Sequence, residues 1–283
     1  MLKLLSAAIV ATGVAATALG TFSHADTPTN KDLVREALKT VFQDFDADAA
    51  RKMFREDYIQ HNPSVPTGRG AILGVLPLLK EQGLGATHHR FIQDGDLVAV
   101  HTTYTNAQLF GGETMIAFDI MRVEDGLMAE HWDALQPMVT ETVSGRSQVD
   151  GPVEITDLDK TDANKALVRG LVETVLIGGD ATALPRFVST ETYHQHNPQI
   201  GDGLDGVQAA FKALAKQGLM FQYDKLHMVI GEGNFVLTTS EGSFGGKPTA
   251  FYDLFRVEAG RIVEHWDVIQ EIPAEMAHDN GMF

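Results

Sequence analysis

The sequence predicts an α+β architecture present in two tandem copies, and three observations carry that expectation. Ordered motifs return at nearly constant spacing, helical periodicity gives way to alternating strands within each copy, and hairpin signals separate those strands. Tyr58-Ile59-Gln60-His61-Asn62-Pro63 recurs as Tyr193-His194-Gln195-His196-Asn197-Pro198, and Glu130-His131-Trp132-Asp133 recurs as Glu264-His265-Trp266-Asp267. Asp119 with Arg122-Val123 returns as Asp253 with Arg256-Val257, and Asn30-Lys31 as Asn164-Lys165. The expected domains are 28–140 and 160–275, joined by a polar linker over 141–159 that contains Gly145, Gly151 and Pro152. Each copy is long enough for its own core. The two are expected to pack sheet against sheet as an intramolecular pseudo-dimer, with further homo-oligomerisation left open.

Within the first copy, the stripe Val34, Leu38, Val41 and Phe42 predicts a helix over 31–42, capped by Thr29 or Asn30. Alanine-rich 46–54 predicts a short second helix that stops before Pro63. The third covers 70–82, where Pro77 should disturb it, since an interior proline loses a helical bond. Its second copy opens with Asp205 three places before Gln208, a spacing suited to a reciprocal cap. Asp94-Gly95, Gly111-Gly112 and Asp125-Gly126 then punctuate strands over 88–93, 97–106, 113–123 and 127–137. Three helices followed by a curved antiparallel sheet make the α+β unit.

Composition narrows the chemistry. With 38 acidic against 22 basic residues and a net charge of -16, the chain lacks the cationic surface that nucleic acid requires. The absence of cysteine excludes disulfides, thiolate nucleophiles and cysteine-ligated metals. No dinucleotide-binding glycine fingerprint, phosphate-binding loop or Gly-x-Ser-x-Gly elbow is present, so no cofactor is expected. Lys3, the apolar run Leu4 to Phe22 and the Ser23-His24-Ala25 exit predict a signal peptide over 1–25. The mature protein would start at Asp26, be periplasmic or secreted, and keep no membrane association after cleavage.

His131 and Asp133 stand two residues apart on a strand, so both project from one face while Trp132 projects from the other; His265, Asp267 and Trp266 repeat this. By alternation Leu127, Ala129 and Leu135 share the first pair's face, and Val263 and Ile269 the second's. A polar pair interrupting an apolar surface suits proton transfer, although a packing and hydrogen-bonding role would equally survive duplication. His61 and His196 precede an Asn-Pro turn, compatible with a pocket rim or with satisfying backbone groups. His89 aligns with His227, while Thr238 and Thr239 stand where the first copy has His101. Parity turns Asp119 and Asp253 toward the His/Asp face. Phe54, Tyr58, Phe91, Tyr104 and Phe118 read mainly as core. Candidate substrate contacts are Tyr104, His89, His101, Asp119, His227 and Asp253. His61, His89, His101, His131 and Asp133 could ligate zinc or iron if they converged, but spacing does not bring them together, and no metal ligand is assigned.

The segments Tyr58–Pro63, Asp94–Val98 followed by His101, Phe118–Val123 and Glu130–Asp133 together resemble the SnoaL-like polyketide cyclase family of the nuclear transport factor 2-like superfamily, once per copy. The resemblance implies two cone-shaped domains, each with three helices packed on a strongly curved antiparallel sheet that encloses a mainly apolar pocket. It implies cofactor-independent acid/base chemistry of aldol-condensation, lyase or isomerase type on an apolar or carbonyl-containing small molecule. Asp133 and Asp267 would be the bases and His131 and His265 would tune them or return a proton. His61 or His196 would polarise the carbonyl. Two alternatives stand beside this: a non-catalytic periplasmic ligand-binding or interaction module, and a metal-dependent enzyme with a histidine-rich pocket.

Overall fold

The computed structural model describes residues 27–283, and the signal segment expected at 1–25 lies outside the described residues. The first unit runs α1 (Asn30–Lys39), α2 (Ala47–Met53), β1 (Phe54–Gln60), α3 (Arg69–Gln82), β2 (Gly85–Asp94), β3 (Leu97–Thr105), β4 (Thr114–Glu124) and β5 (Leu127–Pro137). The second repeats the order as α4 (Thr161–Leu171), α5 (Leu184–Phe187), β6 (His194–Gln195), α6 (Gly203–Lys216), β7 (Phe221–Glu232), β8 (Phe235–Phe244), β9 (Lys247–Glu258) and β10 (Arg261–Glu271). Thr29 opens α1 with a reciprocal cap: its side chain accepts from the Asp32 amide and the Asp32 carboxylate accepts from its own. The cap of α6 is Asp202, whose side chain makes no hydrogen bond to the helix amides, so the Asp205–Gln208 box does not form. Pro77 sits inside an uninterrupted α3 on its exposed side, where water can satisfy the carbonyl it leaves unpaired.

Each unit packs three helices on a five-stranded mixed sheet, ordered β1-β5-β4-β3-β2 and β6-β10-β9-β8-β7. The sheets are open, neither closed nor strongly curled, and this corrects the expected cone with its wholly antiparallel sheet. The reason lies in the segment after the second helix. Phe54–Gln60 forms an edge strand parallel to β5, and β2 remains the opposite edge instead of curling round to meet it.

The two faces of each sheet do different work. In the first unit Val98, Val100, Tyr104 and Met121 face the helices with Val34, Leu38 and Leu79. The other face carries Phe118, Ile120 and Trp132, which pack in one core with Tyr252, Leu254 and Trp266 of the second unit. That contact is reciprocal. Gln136 Nε2 donates to the Asp267 carbonyl at 3.0 Å, and the Leu135 amide donates to Gln270 Oε1 at 2.8 Å. Lys31 pairs with Glu232 at 2.7 Å, and Lys165 pairs with Asp94.

Candidate functional site

The helix-facing side of the first sheet ends in a cavity of about 80 Å³. Its walls are apolar, among them Val41, Phe54, Ile72 and Leu79, and its floor is polar: Gln60, Asn62, Asp119, His131 and Asp133. A β-bulge in β5 sets this floor. Arg122 lies opposite Glu130 but Val123 lies opposite Met128, so Ala129 is the extra residue. Met128, and not Ala129, therefore joins His131 and Asp133 on the cavity face. The same irregularity at Val263 puts Ile262 there in the second unit.

Hydrogen bonding fixes where protons reside. Gln60 Oε1 accepts from the His61 amide at 3.0 Å and the Asn62 amide at 2.9 Å, which orients its side chain. His131 Nδ1, 2.8 Å from that oxygen, is thus the donor. Its Nε2 faces Asp119 Oδ1 at 3.3 Å, so an imidazolium beside a carboxylate satisfies both ends of the ring. Tyr104 donates to Asp119 Oδ2 at 3.1 Å. Asn62 Nδ2 donates to both oxygens of Asp133, at 3.0 and 2.8 Å, while its own Oδ1 accepts from the Ser64 amide.

Burial and charge then set the basicity. Burial pushes Asp133 up to about 6, with the Asp119 charge acting in the same direction and His131 and Asn62 opposing. For His131 burial disfavours the charged ring, but the bond to Asp119 and the charges of Asp133 and Asp119 outweigh it and raise the pKa. Tyr104 is held well above 10 by burial and by Asp119, and remains a donor.

The second unit repeats the cluster. Gln195 Oε1 lies 3.0 Å from His265 Nδ1, His265 Nε2 lies 3.0 Å from Asp253 Oδ1, and Asn197 donates to Asp267 Oδ2 at 2.6 Å. Burial again raises Asp267 to about 6. A phenol again reaches the central carboxylate, this time Tyr223, 3.3 Å from Asp253. The surroundings differ: Thr238 Oγ1, Ser240 Oγ and Asp267 Oδ1 are buried without partners.

The remaining candidates lie elsewhere. His61 and His196 are on the opposite side of β5 and β10, so neither can polarise a carbonyl in the cavity. Strand alternation is the reason: His61 stands between Gln60 and Asn62, which take the cavity side. His61 stacks on Trp132 at 4.8 Å, bonds Glu130 through Nε2 at 2.9 Å, and donates through Nδ1 to the Gly281 carbonyl at 2.9 Å. His196 does the same with Trp266, Glu264 and the Ser147 carbonyl. His101 faces the second unit, stacked on Phe118 at 4.5 Å, and accepts from Arg90 at 3.1 Å. Burial, then the Arg90 charge, hold it well below 6.5 and neutral. His89 and His227 occupy matching bulges in β2 and β7, away from the cavity lining. Tyr104, Asp119 and Asp253 are in their clusters.

The histidine-rich metal set therefore does not converge: of His61, His89, His101, His131 and Asp133, only the last two share a site. Asp119, His131 and Asp133 do bring ligand atoms within 4.8 Å of one another, as do Asp253, His265 and Asp267. In the first unit both nitrogens of His131 and both oxygens of Asp133 are already hydrogen-bonded, and a cation would have to displace those partners. Sequence reasoning missed Tyr223, and also Gln60 and Asn62 with Gln195 and Asn197. The last four stand in the repeated motif itself, and reading Phe54–Gln60 as a strand would have turned the first pair inward.

A comparison with curated proteins finds no match. Among solved structures, IdmH, a putative polyketide cyclase from Streptomyces antibioticus, is 22% identical over 38% of this chain and 93% of its own, with a TM-score of 0.33. A putative ketosteroid isomerase from Kribbella flavida is 23% identical over 44% of this chain and 90% of its own, with a TM-score of 0.33. TsrD from Streptomyces laurentii is 19% identical over 38% and 88%, also with a TM-score of 0.33. The family described as SnoaL-like domain matches residues 34–131 and again 168–265, one match on each unit. The chain belongs to the SnoaL-like domain family, with two copies in tandem.

Proposed function

We propose that the protein is an exported small-molecule enzyme that moves protons on a carbonyl compound without a cofactor, by isomerisation, lyase or aldol-type chemistry. One observation carries this reading: a buried carboxylate, Asp133, held by Asn62 at the floor of an apolar cavity and raised to about 6. A base with that pKa is largely ionised at neutral pH and still strong enough to take an activated α-proton. Asp133 removes the proton and the C–H electrons form the enolate. Tyr58 is the donor available to the enolate oxygen, because its hydroxyl lines the cavity with only the weak acceptor Met121 Sδ, at 3.7 Å. Protonated Asp133 then returns the proton at another carbon, or the enolate carbon attacks a second carbonyl and the resulting alkoxide takes it. His131 has both nitrogens engaged, so its role is electrostatic. It stabilises the ionised base.

The cavity has room for about six water-sized groups, which favours a small substrate. The test is α-proton exchange of acetylacetone in D2O, followed by NMR. The wild-type protein should accelerate exchange, and Asp133→Asn combined with Asp267→Asn should abolish it in a folded protein. An unchanged rate in the double variant rejects the assigned bases. Acetylacetone recovered without exchange, but bound, supports the non-catalytic binding reading.

A further inference from the structure

The phenols that reach the two central carboxylates do not come from equivalent positions. Val100 lies opposite Asp119 and Thr238 opposite Asp253, so the position of Tyr104 in the first unit corresponds to Gly242 in the second. Nothing larger than glycine fits there: an added Cβ would lie 1.9 Å from the Gln222 carbonyl oxygen. The phenol comes instead from the neighbouring strand, where Tyr223 pairs with Gly242 just as Ala86 pairs with Tyr104. A bulge at Asp224 accompanies the exchange. The two rings pack differently. Tyr104 meets Phe42 and Phe110 edge-on at 5.1 and 5.2 Å, whereas Tyr223 stacks on Phe251 at 4.2 Å. What they share is the hydroxyl contact to the carboxylate, so ring packing alone does not account for it.

We propose that Tyr104 and Tyr223 are positioning residues that keep a proton on the imidazole side of the Asp119–His131 and Asp253–His265 pairs, each supplied from a different strand. The inference rests on reading the clusters as proton-handling sites. The phenol O–H stabilises negative charge on the carboxylate, so the proton stays on Nε2 and the imidazolium continues to support the ionised base beside it. Other groups on the cavity side of the first pair are Tyr58 from β1, His88 from β2, with Arg35 on α1 beyond it, and Asp133 from β5, while Tyr252 of the opposite sheet lies behind the pair, across the sheet. In the second unit they are Tyr193 and Asp267, with His196 behind them on the far side of β10.

The experiment is histidine side-chain 15N NMR of the full chain carrying Tyr104→Phe or Tyr223→Phe, changes that keep the ring. In Tyr104→Phe the His131 Nε2 resonance should move from the imidazolium position toward that of an unprotonated nitrogen. The acidic step of its titration should rise by about one pH unit, the loss expected for a hydrogen bond to a charged group. His265 should not respond. Tyr223→Phe should give the converse. An unchanged His131 signal in folded Tyr104→Phe overturns the proposal, as does an equal response of both histidines to either change. Those outcomes leave the assignment of Asp133 intact, because proton exchange in Asp133→Asn tests it separately.

Discussion

Replacing Asp133 by asparagine should stabilise the protein at neutral and alkaline pH while removing its proposed base. The folded state raises this carboxyl from the ordinary 3.8 to about 6. A raised value means that the favourable term is fully present below the unfolded value and is lost as pH rises through about 6. Above that, the native state carries a buried charge at a net cost. Two pH units at about 1.4 kcal/mol each give about 3 kcal/mol. The substituted amide can still accept from Asn62, so the exchange leaves no orphan on that side. The assay is urea unfolding of wild type and Asp133→Asn, where the gain should grow by about 2 kcal/mol between about pH 4.5 and about pH 8. Asp267→Asn should act alike, since burial raises it equally. A stability difference that does not vary with pH would mean that Asp133 titrates as an ordinary surface carboxylate. Such a carboxylate would be too weak a base for the proposed role.

Asn62→Leu removes the donor that lowers the Asp133 pKa, so the rising limb of α-proton exchange against pH should move to higher pH by about one unit. Tyr58→Phe should slow exchange with little effect on thermal stability, since its hydroxyl has only a sulfur partner. His61→Asn should cost about 1–3 kcal/mol by urea unfolding, from the lost bonds and stacking, and leave exchange unchanged. N-terminal sequencing of exported protein should begin at Asp26; an uncleaved terminus refutes the signal segment.

The repeat, the helices, the four strands that follow the third helix, and the shared facing of Asp119, His131 and Asp133 were all legible as spacing and parity. Parity failed where the backbone departs from regular alternation. The bulges at Ala129 and His89 leave no mark in the residue pattern, because each depends on pairing with a distant strand. Phe54–Gln60 carries Arg55, Glu56 and Asp57 and does not alternate like a half-buried strand; its pairing with β5 makes it one. Ending the second helix at 54 and leaving 55–60 without an element left His61 free to be placed in a pocket, and hid Gln60 and Asn62. His101 lies one position out of step with Val100 and Thr102, and its burial against the second unit could not be known from the first copy alone.

The carbonyls that meet His61 and His196 come from two different stretches of chain. Ser147, just ahead of the second unit, serves His196, whereas the first unit relies on Gly281, with Asn280 donating to the Gln60 carbonyl and Ala277 to that of Pro63. During synthesis, therefore, the half that leaves the ribosome first is completed by residues made only after the whole second sheet. Severing the chain in the linker ahead of Ser147 would be unequal in effect: the later fragment keeps both straps, and the earlier one is left with an uncovered histidine.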